Sequence, residues 1–333
     1  MNNNSHSITI NRIRFFLIIL IVFNHINFFK NVNIFKENFI LIDIATPTLA
    51  YLSGYLFFLN YESGKFHLKL KSKIKSLIIP YILWSLSIHL LYQLLIHVLR
   101  TYNIYSLTTN NTELFVMKEY IKILVFPENI FWYLQNLILI LPFTPFIFYF
   151  IHRKYLFFPL FLVLIYFSIN FNLYFSIRFL PFFILGSYMS LYKELNLFNI
   201  RVNNFLSFLI TITLIYVFNL ITGNTIYLIL IKLFLVVLFT NILYVFLETN
   251  IFRYLNQYLK YSFFIFCTHI LISKIITKGY IFLFNSIFLN HELQFNILCL
   301  FFGILIIFFS IISARLLYKL CPKFYLLLTG QRI

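Results

Sequence analysis

The sequence predicts an all-α fold, a polytopic transmembrane bundle of about ten helices with both termini in the cytoplasm. Three observations carry this expectation. The 333-residue chain is 62% hydrophobic and only 11% charged, and its mean hydropathy of +0.91 lies far above that of soluble domains. Apolar stretches of about 17 to 25 residues, the length that crosses a bilayer, recur along the chain. Lysine and arginine are concentrated on one side of those stretches, which orients them.

Taken in order, the expected spans are 13–29, 39–60, 77–97, 131–150, 155–171, 174–191, 203–221, 226–246, 258–278 and 295–317. The first carries Arg14 near one end and His25 within apolar sequence, and no small-residue cleavage site follows it, so it reads as a retained span. The second contains Asp43, and the third follows a basic run that ends before Pro80. Ile151-His152-Arg153-Lys154 is the break between the fourth and fifth. The sixth holds Arg178 and Pro181, and Thr222-Gly223-Asn224-Thr225 is a tight turn before the eighth. The ninth carries His269 at mid-span. The longest loop, 99–130, lies outside the cytoplasm, and residues 113–125 within it fit an interfacial helix.

Seventeen lysines and arginines fall on the amino-terminal side of this arrangement and seven on the other, with Arg178 and Lys232 inside spans. The bias places both termini in the cytoplasm. It also accounts for most of the net charge of +17, so the basic character is no sign of nucleic-acid binding. Cys267, Cys299 and Cys321 show no paired spacing, which argues against a disulfide framework or a zinc site. The chain reads as a single integral-membrane domain over 1–333 with no appended soluble domain. No internal repeat of the kind found in inverted-repeat transporters is visible.

Ionisable residues inside a membrane are expensive and are read first as functional. Arg14 and His25 are eleven residues apart, about 1100° of helical turn, so they share one face about 16 Å apart along the axis. Asp43 is expected at the depth of His25, where it either orients the imidazole or bonds locally near the interface. Arg178 is either an outer anchor or a substrate-facing cation beside the helix break at Pro181. His269 either bonds a backbone carbonyl or takes part in chemistry, and His89 reads as a packing residue. The cluster Lys65, Lys69, Lys71, Lys73 and Lys75 serves as a topology anchor against anionic lipid or as a phosphate grip. No Gly-x-Ser-x-Gly elbow, HxxxxD, P-loop, GxGxxG or metal-ligand pattern occurs. Any chemistry must rest on histidine and arginine.

Six segments in order give the chain a family resemblance. They are Arg14-x10-His25, Pro47 followed by Ser53-Gly54-Tyr55, the basic entry Lys73 to Pro80-Tyr81 with Trp84, Trp132-Tyr133-Leu134, Arg178 with Phe183-Ile184-Leu185-Gly186, and Ser262 to His269. This pattern resembles the bacterial integral-membrane acyltransferase-3 family, multi-pass enzymes that O-acylate cell-surface carbohydrates. Ser76 and the neighbouring lysines stand where relatives commonly carry arginine, and Gln135 where they often carry a basic residue.

The resemblance implies transfer of an acyl group, most often acetyl from cytoplasmic acetyl-CoA, to a hydroxyl of a surface or lipid-linked carbohydrate. Arg14, Lys71, Lys73 and Lys75 would hold the donor's phosphates. His25 would act as general base or be transiently acylated, and both roles need a neutral imidazole. Arg178 or His269 would stabilise the oxyanion or steer the acceptor, and Asp43 would support His25. The expected setting is the bacterial cytoplasmic membrane, with no metal and with room for a separate transferase partner. A carrier or flippase for lipid-linked sugars, or a polysaccharide polymerase, would use the same buried polar groups without this chemistry.

Overall fold

The computed structural model describes residues 3–26, 40–59, 61, 63–101, 131–170, 174–192, 225–284 and 292–331, and no strand occurs among them. Among the described residues, six helices are long and apolar enough to cross a membrane: His6–Asn24, Phe66–Leu91, Trp132–His152, Ile231–Glu248, Leu259–Ile276 and Leu300–Leu320. Shorter apolar helices occupy Ile44–Phe58, Phe157–Phe167 and Phe179–Leu191. Together they match nine of the expected spans. The tenth, 203–221, and the stretch 113–125 lie outside the described residues.

Helix α1 (Asn3–Asn24) begins ten residues earlier than the hydropathy pattern suggests and stops five residues sooner. No glycine or proline interrupts its polar start, so the helix propagates backward through sequence that hydropathy alone does not count. It ends at Asn24, a poor helix former. The His25 N–H still reaches the carbonyls of Ile21 and Val22 at 3.2 and 3.1 Å, a shared bond typical of a final turn. His25 therefore lies at the carboxy-terminal end of the helix rather than four residues inside it.

Helix α2 (Ile40–Phe58) and helix α8 (Tyr174–Leu191) form the most extensive helix pair. Their contact is made by reciprocal glycines. A Cβ on Gly54 would lie 2.8 Å from the carbonyl carbon of Phe183, and one on Gly186 would lie 2.8 Å from that of Tyr51, with each carbonyl oxygen closer still. Backbone meets backbone here because neither residue has a side chain, as at small-residue crossings in membranes generally. The Ser-Gly-Tyr and Phe-x-x-Gly segments are thus two halves of one joint.

The basic helix α3 (Phe66–Lys73) runs through a π turn, Ile74–Ile78, into α4 (Ile79–Thr101). Pro80 has no N–H to offer Ser76, so the four-residue ladder cannot continue across this point. The Ile79 N–H bonds instead to Ile74 O, five residues back. Helices α5 (Trp132–Ile140) and α6 (Thr144–His152) are joined by a 3-10 turn at Pro142. Arg153 then separates α6 from α7 (Lys154–Asn170). The remaining elements are α9 (Thr225–Glu248), α10 (Ser262–Phe284), α11 (Glu292–Leu320) and a short α12 (Pro322–Thr329).

Two polar ties fix the end of the bundle opposite His25. Arg12, one of the seventeen basic residues counted on the amino-terminal side, is buried. Its guanidinium donates to the carbonyl of Leu247 at 2.6 Å and to the Asn256 amide oxygen at 2.9 Å. It caps the end of α9, where unpaired carbonyls carry negative partial charge. Trp84 Nε1 donates to Leu328 O at 3.0 Å and holds α12 against α4. Gly330 follows with φ +65°, and the Gln331 N–H closes onto Leu326 O at 2.7 Å, the geometry of a left-handed helix stop.

Candidate active site

Arg14 of α1 lines a partly open cavity of about 190 Å³. Ser53 and Phe57 from α2, Lys73 and Ser76 around the π turn, Tyr133 from α5, and Ser262 and Phe266 from α10 also line it. The π turn brings Ser76 and Leu77 to the wall just past Lys73. Ser53 Oγ and Tyr133 OH lie 2.9 Å apart and cross-link α2 to α5. No carboxylate lines the cavity, and Arg14 makes no hydrogen bond or ion pair among the described residues. A cation in such a setting lacks a counter-charge and invites an anionic ligand.

The basic cluster divides by burial. Lys69 Nζ donates to the carbonyls of Phe57 and Leu59 at 2.7 and 3.0 Å, which caps α2. Lys73 reaches the cavity and passes 5.9 Å from the centre of the Phe57 ring. Lys71 and Lys75, grouped with it from sequence, are exposed and do not line the cavity. Their side of α3 is the one suited to a lipid surface.

At the carboxy-terminal end of α1, eleven residues past Arg14, His25 is exposed and stands beside His269 of α10, with ring centroids 5.2 Å apart and planes inclined at 45°. His269 is only 2% exposed. Its Nδ1 lies 2.7 Å from Phe266 O, while its Nε2 is buried and has no hydrogen-bond partner among the described residues. Two of the histidines singled out separately in the sequence, 244 residues apart, are therefore neighbours. Arg14 shares its cavity with Ser262 and Phe266 of α10, so Arg14 and His25 both face that helix, as their spacing requires.

Phe266 stands between the two centres. Its ring lines the cavity, lies 5.9 Å from that of Tyr133, and lies 5.9 Å from that of His269. The cavity does not extend to His25 or His269. The Arg178 and Asp43 side chains lie outside the described residues, so the expected pairing of Asp43 with His25 and the aim of Arg178 do too. His89 is buried, in keeping with a packing role. Ser262 and Phe266 were not recognised individually from sequence; each lies a helical turn or two before His269, which is the signal that could have found them.

The family model of an acyltransferase domain, that of the acyltransferase-3 family, matches residues 8–315. The chain belongs to that family. No curated protein and no solved structure matches it. As a family member with six long apolar helices, the chain is a multi-pass membrane acyltransferase. Both the cationic cavity and the histidine pair fall inside the matched region.

Proposed function

We propose that this acyltransferase is an O-acetyltransferase. It takes acetyl from cytoplasmic acetyl-CoA and passes it to a hydroxyl of a cell-surface or lipid-linked carbohydrate, across the bacterial cytoplasmic membrane. The observation that carries this reading is a cavity that, among the described residues, is lined by two cations, four hydroxyl side chains and no carboxylate, and whose wall residue Phe266 lies one helical turn before the histidine of an imidazole pair. Arg14 and Lys73 supply the charge a phosphate ligand needs, and Arg14 adds planar, bidentate donors. At about 190 Å³ the cavity takes a phosphate and part of a thin arm. The bulk of the donor then remains at the cytoplasmic mouth, near exposed Lys71 and Lys75.

An alcohol attacks a thioester poorly at neutral pH, and a positioned general base contributes about 10²–10⁴ in rate. His25 fills that role because its ring is exposed at the outer end of α1, where a carbohydrate can approach. Phe266 must move for the thioester to reach it. Arg178 and Asp43 remain candidates for oxyanion stabilisation and support of His25, and a separate transferase partner can receive the acetyl group. The test is transfer from labelled acetyl-CoA to the carbohydrate fraction of membranes carrying the full chain. Arg14→Ala and His25→Ala should each reduce it at least a hundred-fold at equal protein levels. Label that stays on the donor with intact protein would instead favour a carrier for lipid-linked sugars.

A further inference from the structure

His269 is almost fully enclosed, yet only one of its two ring nitrogens is satisfied. The partner of Nδ1 is a backbone carbonyl, Phe266 O, at 2.7 Å. A carbonyl oxygen can only accept, so Nδ1 must carry the proton and Nε2 a bare lone pair. A buried acceptor without a donor is rare enough in folded proteins to call for an explanation. The polar side chain next to it in α10, Thr268, is already committed, donating to Phe264 O at 2.9 Å and lying 3.2 Å from Ser310 Oγ. The imidazole facing His269 is that of His25, with centroids 5.2 Å apart. At that separation, a turn of the His25 ring brings one nitrogen to roughly 3 Å from Nε2, a hydrogen-bond length.

We propose that His269 is a positioning residue for the acyl transfer: its Nε2 lone pair accepts the ring N–H of His25 and leaves the other His25 nitrogen bare toward the acceptor hydroxyl. This rests on the acyl-transfer reading above. In many hydrolases a carboxylate orients the catalytic histidine. Here a neutral imidazole does so, and its own tautomer is set by a backbone carbonyl, giving the chain His25 N–H to His269 Nε2 and His269 Nδ1–H to Phe266 O. The proton inventory closes without His269 gaining or losing a proton. As the hydroxyl oxygen bonds to the thioester carbon, its proton passes to the bare nitrogen of His25. When the tetrahedral intermediate collapses and the C–S bond breaks, His25 returns that proton to the departing sulfur. Between those events the imidazolium of His25 is stabilised by the Nε2 lone pair. The link has a second consequence. The residue whose carbonyl sets the His269 tautomer, Phe266, also places its ring on the wall of the donor cavity, so one residue of α10 borders both centres.

Two substitutions separate this role from a packing role. In His269→Gln the side-chain amide reaches the position of Nε2 and can present an oxygen there. In His269→Asn it reaches the position of Nδ1 and can satisfy only the Phe266 carbonyl. Transfer of label from acetyl-CoA to carbohydrate is measured in membranes carrying the full chain, with size-exclusion profiles of detergent-extracted protein as the check on folding. The expected result is a loss within about ten-fold for His269→Gln and of a hundred-fold or more for His269→Asn. In a His25→Ala background, His269→Asn should add less than about three-fold, because residues acting as a unit are not additive. A folded His269→Asn that keeps the wild-type rate, a folded His269→Gln as inactive as His269→Asn, or full additivity with His25→Ala overturns the proposal. If His25→Ala itself transfers acetyl at the wild-type rate, the acyl-transfer reading falls and takes this one with it. Loss on His25→Ala with no loss on His269→Asn removes the positioning role alone.

Discussion

Replacing Gly54 or Gly186 by alanine tests the joint on which the cavity depends. The added methyl would lie 2.8 Å from a carbonyl carbon of the facing helix at either position. Carbon atoms pack at about 3.5–4.0 Å, so α2 and α8 must separate by at least about 0.7 Å where they now touch. Neither obstacle is the tip of a side chain that can swing away; both are backbone. Overpacking of this kind costs about 1–3 kcal/mol where a core can adjust, and a crossing with no flexible atom should fall at the upper end, about 3 kcal/mol. Because the first substitution already moves the helices apart, the second should cost much less, so the double variant should be clearly less destabilised than the sum. The assay is thermal unfolding of detergent-purified protein followed by size exclusion. Gly64→Ala is the internal control, since nothing lies within 4 Å of the position a methyl would take there. Gly303→Ala should be intermediate, because the methyl there meets the ring of Phe23, which can rotate. Gly54→Ala and Gly186→Ala proteins as stable as Gly64→Ala would refute the reasoning.

Three further outcomes follow from the site. Lys73→Gln should raise KM for acetyl-CoA about ten-fold or more, as expected on losing an interaction of at least about 1.4 kcal/mol, while Lys71→Gln and Lys75→Gln should change it by less than about three-fold; equal effects at all three positions would contradict the assignment of Lys73 to the cavity. Arg12→Ala strips donors from Leu247 O and Asn256 Oδ1 and should destabilise the protein by about 2–3 kcal/mol, measured by thermal unfolding, with no separate effect on KM in the surviving folded fraction. Phe266→Trp enlarges the wall between the cavity and the histidines and should lower kcat for transfer with little change in KM, read from initial rates in membranes; unaltered kcat would show that the donor takes another path.

Much of the fold was legible because hydropathy and charge bias are properties of short windows. A run of about 20 apolar residues must cross the membrane wherever its neighbours lie, since its backbone bonds close within the helix. The limits of α1 were less legible, because Asn3–Asn11 is polar and helix propagation does not need apolar side chains. The burial of Arg12 was not legible for a related reason. The same residue type serves as a topology signal or a buried cap, and the difference lies in α9, more than 230 positions away. For the site, the eleven-residue spacing put Arg14 and His25 on one face without help from coordinates. It could not supply the imidazole opposite His25, nor show that Lys73 lines the cavity while Lys71 and Lys75 face outward.

By itself, then, the amino-acid order determined a multi-pass helical bundle and the shared face of the guanidinium and imidazole on the first helix. These follow from interactions within single segments or between a segment and the bilayer. Only the tertiary structure decided that Gly54 meets Gly186, that His25 meets His269, and that Phe266 divides the cationic cavity from the histidine pair. Those contacts join helices far apart in the chain, and packing among the helices selects them, because bilayer and helix geometry alone leave many pairings of similar energy.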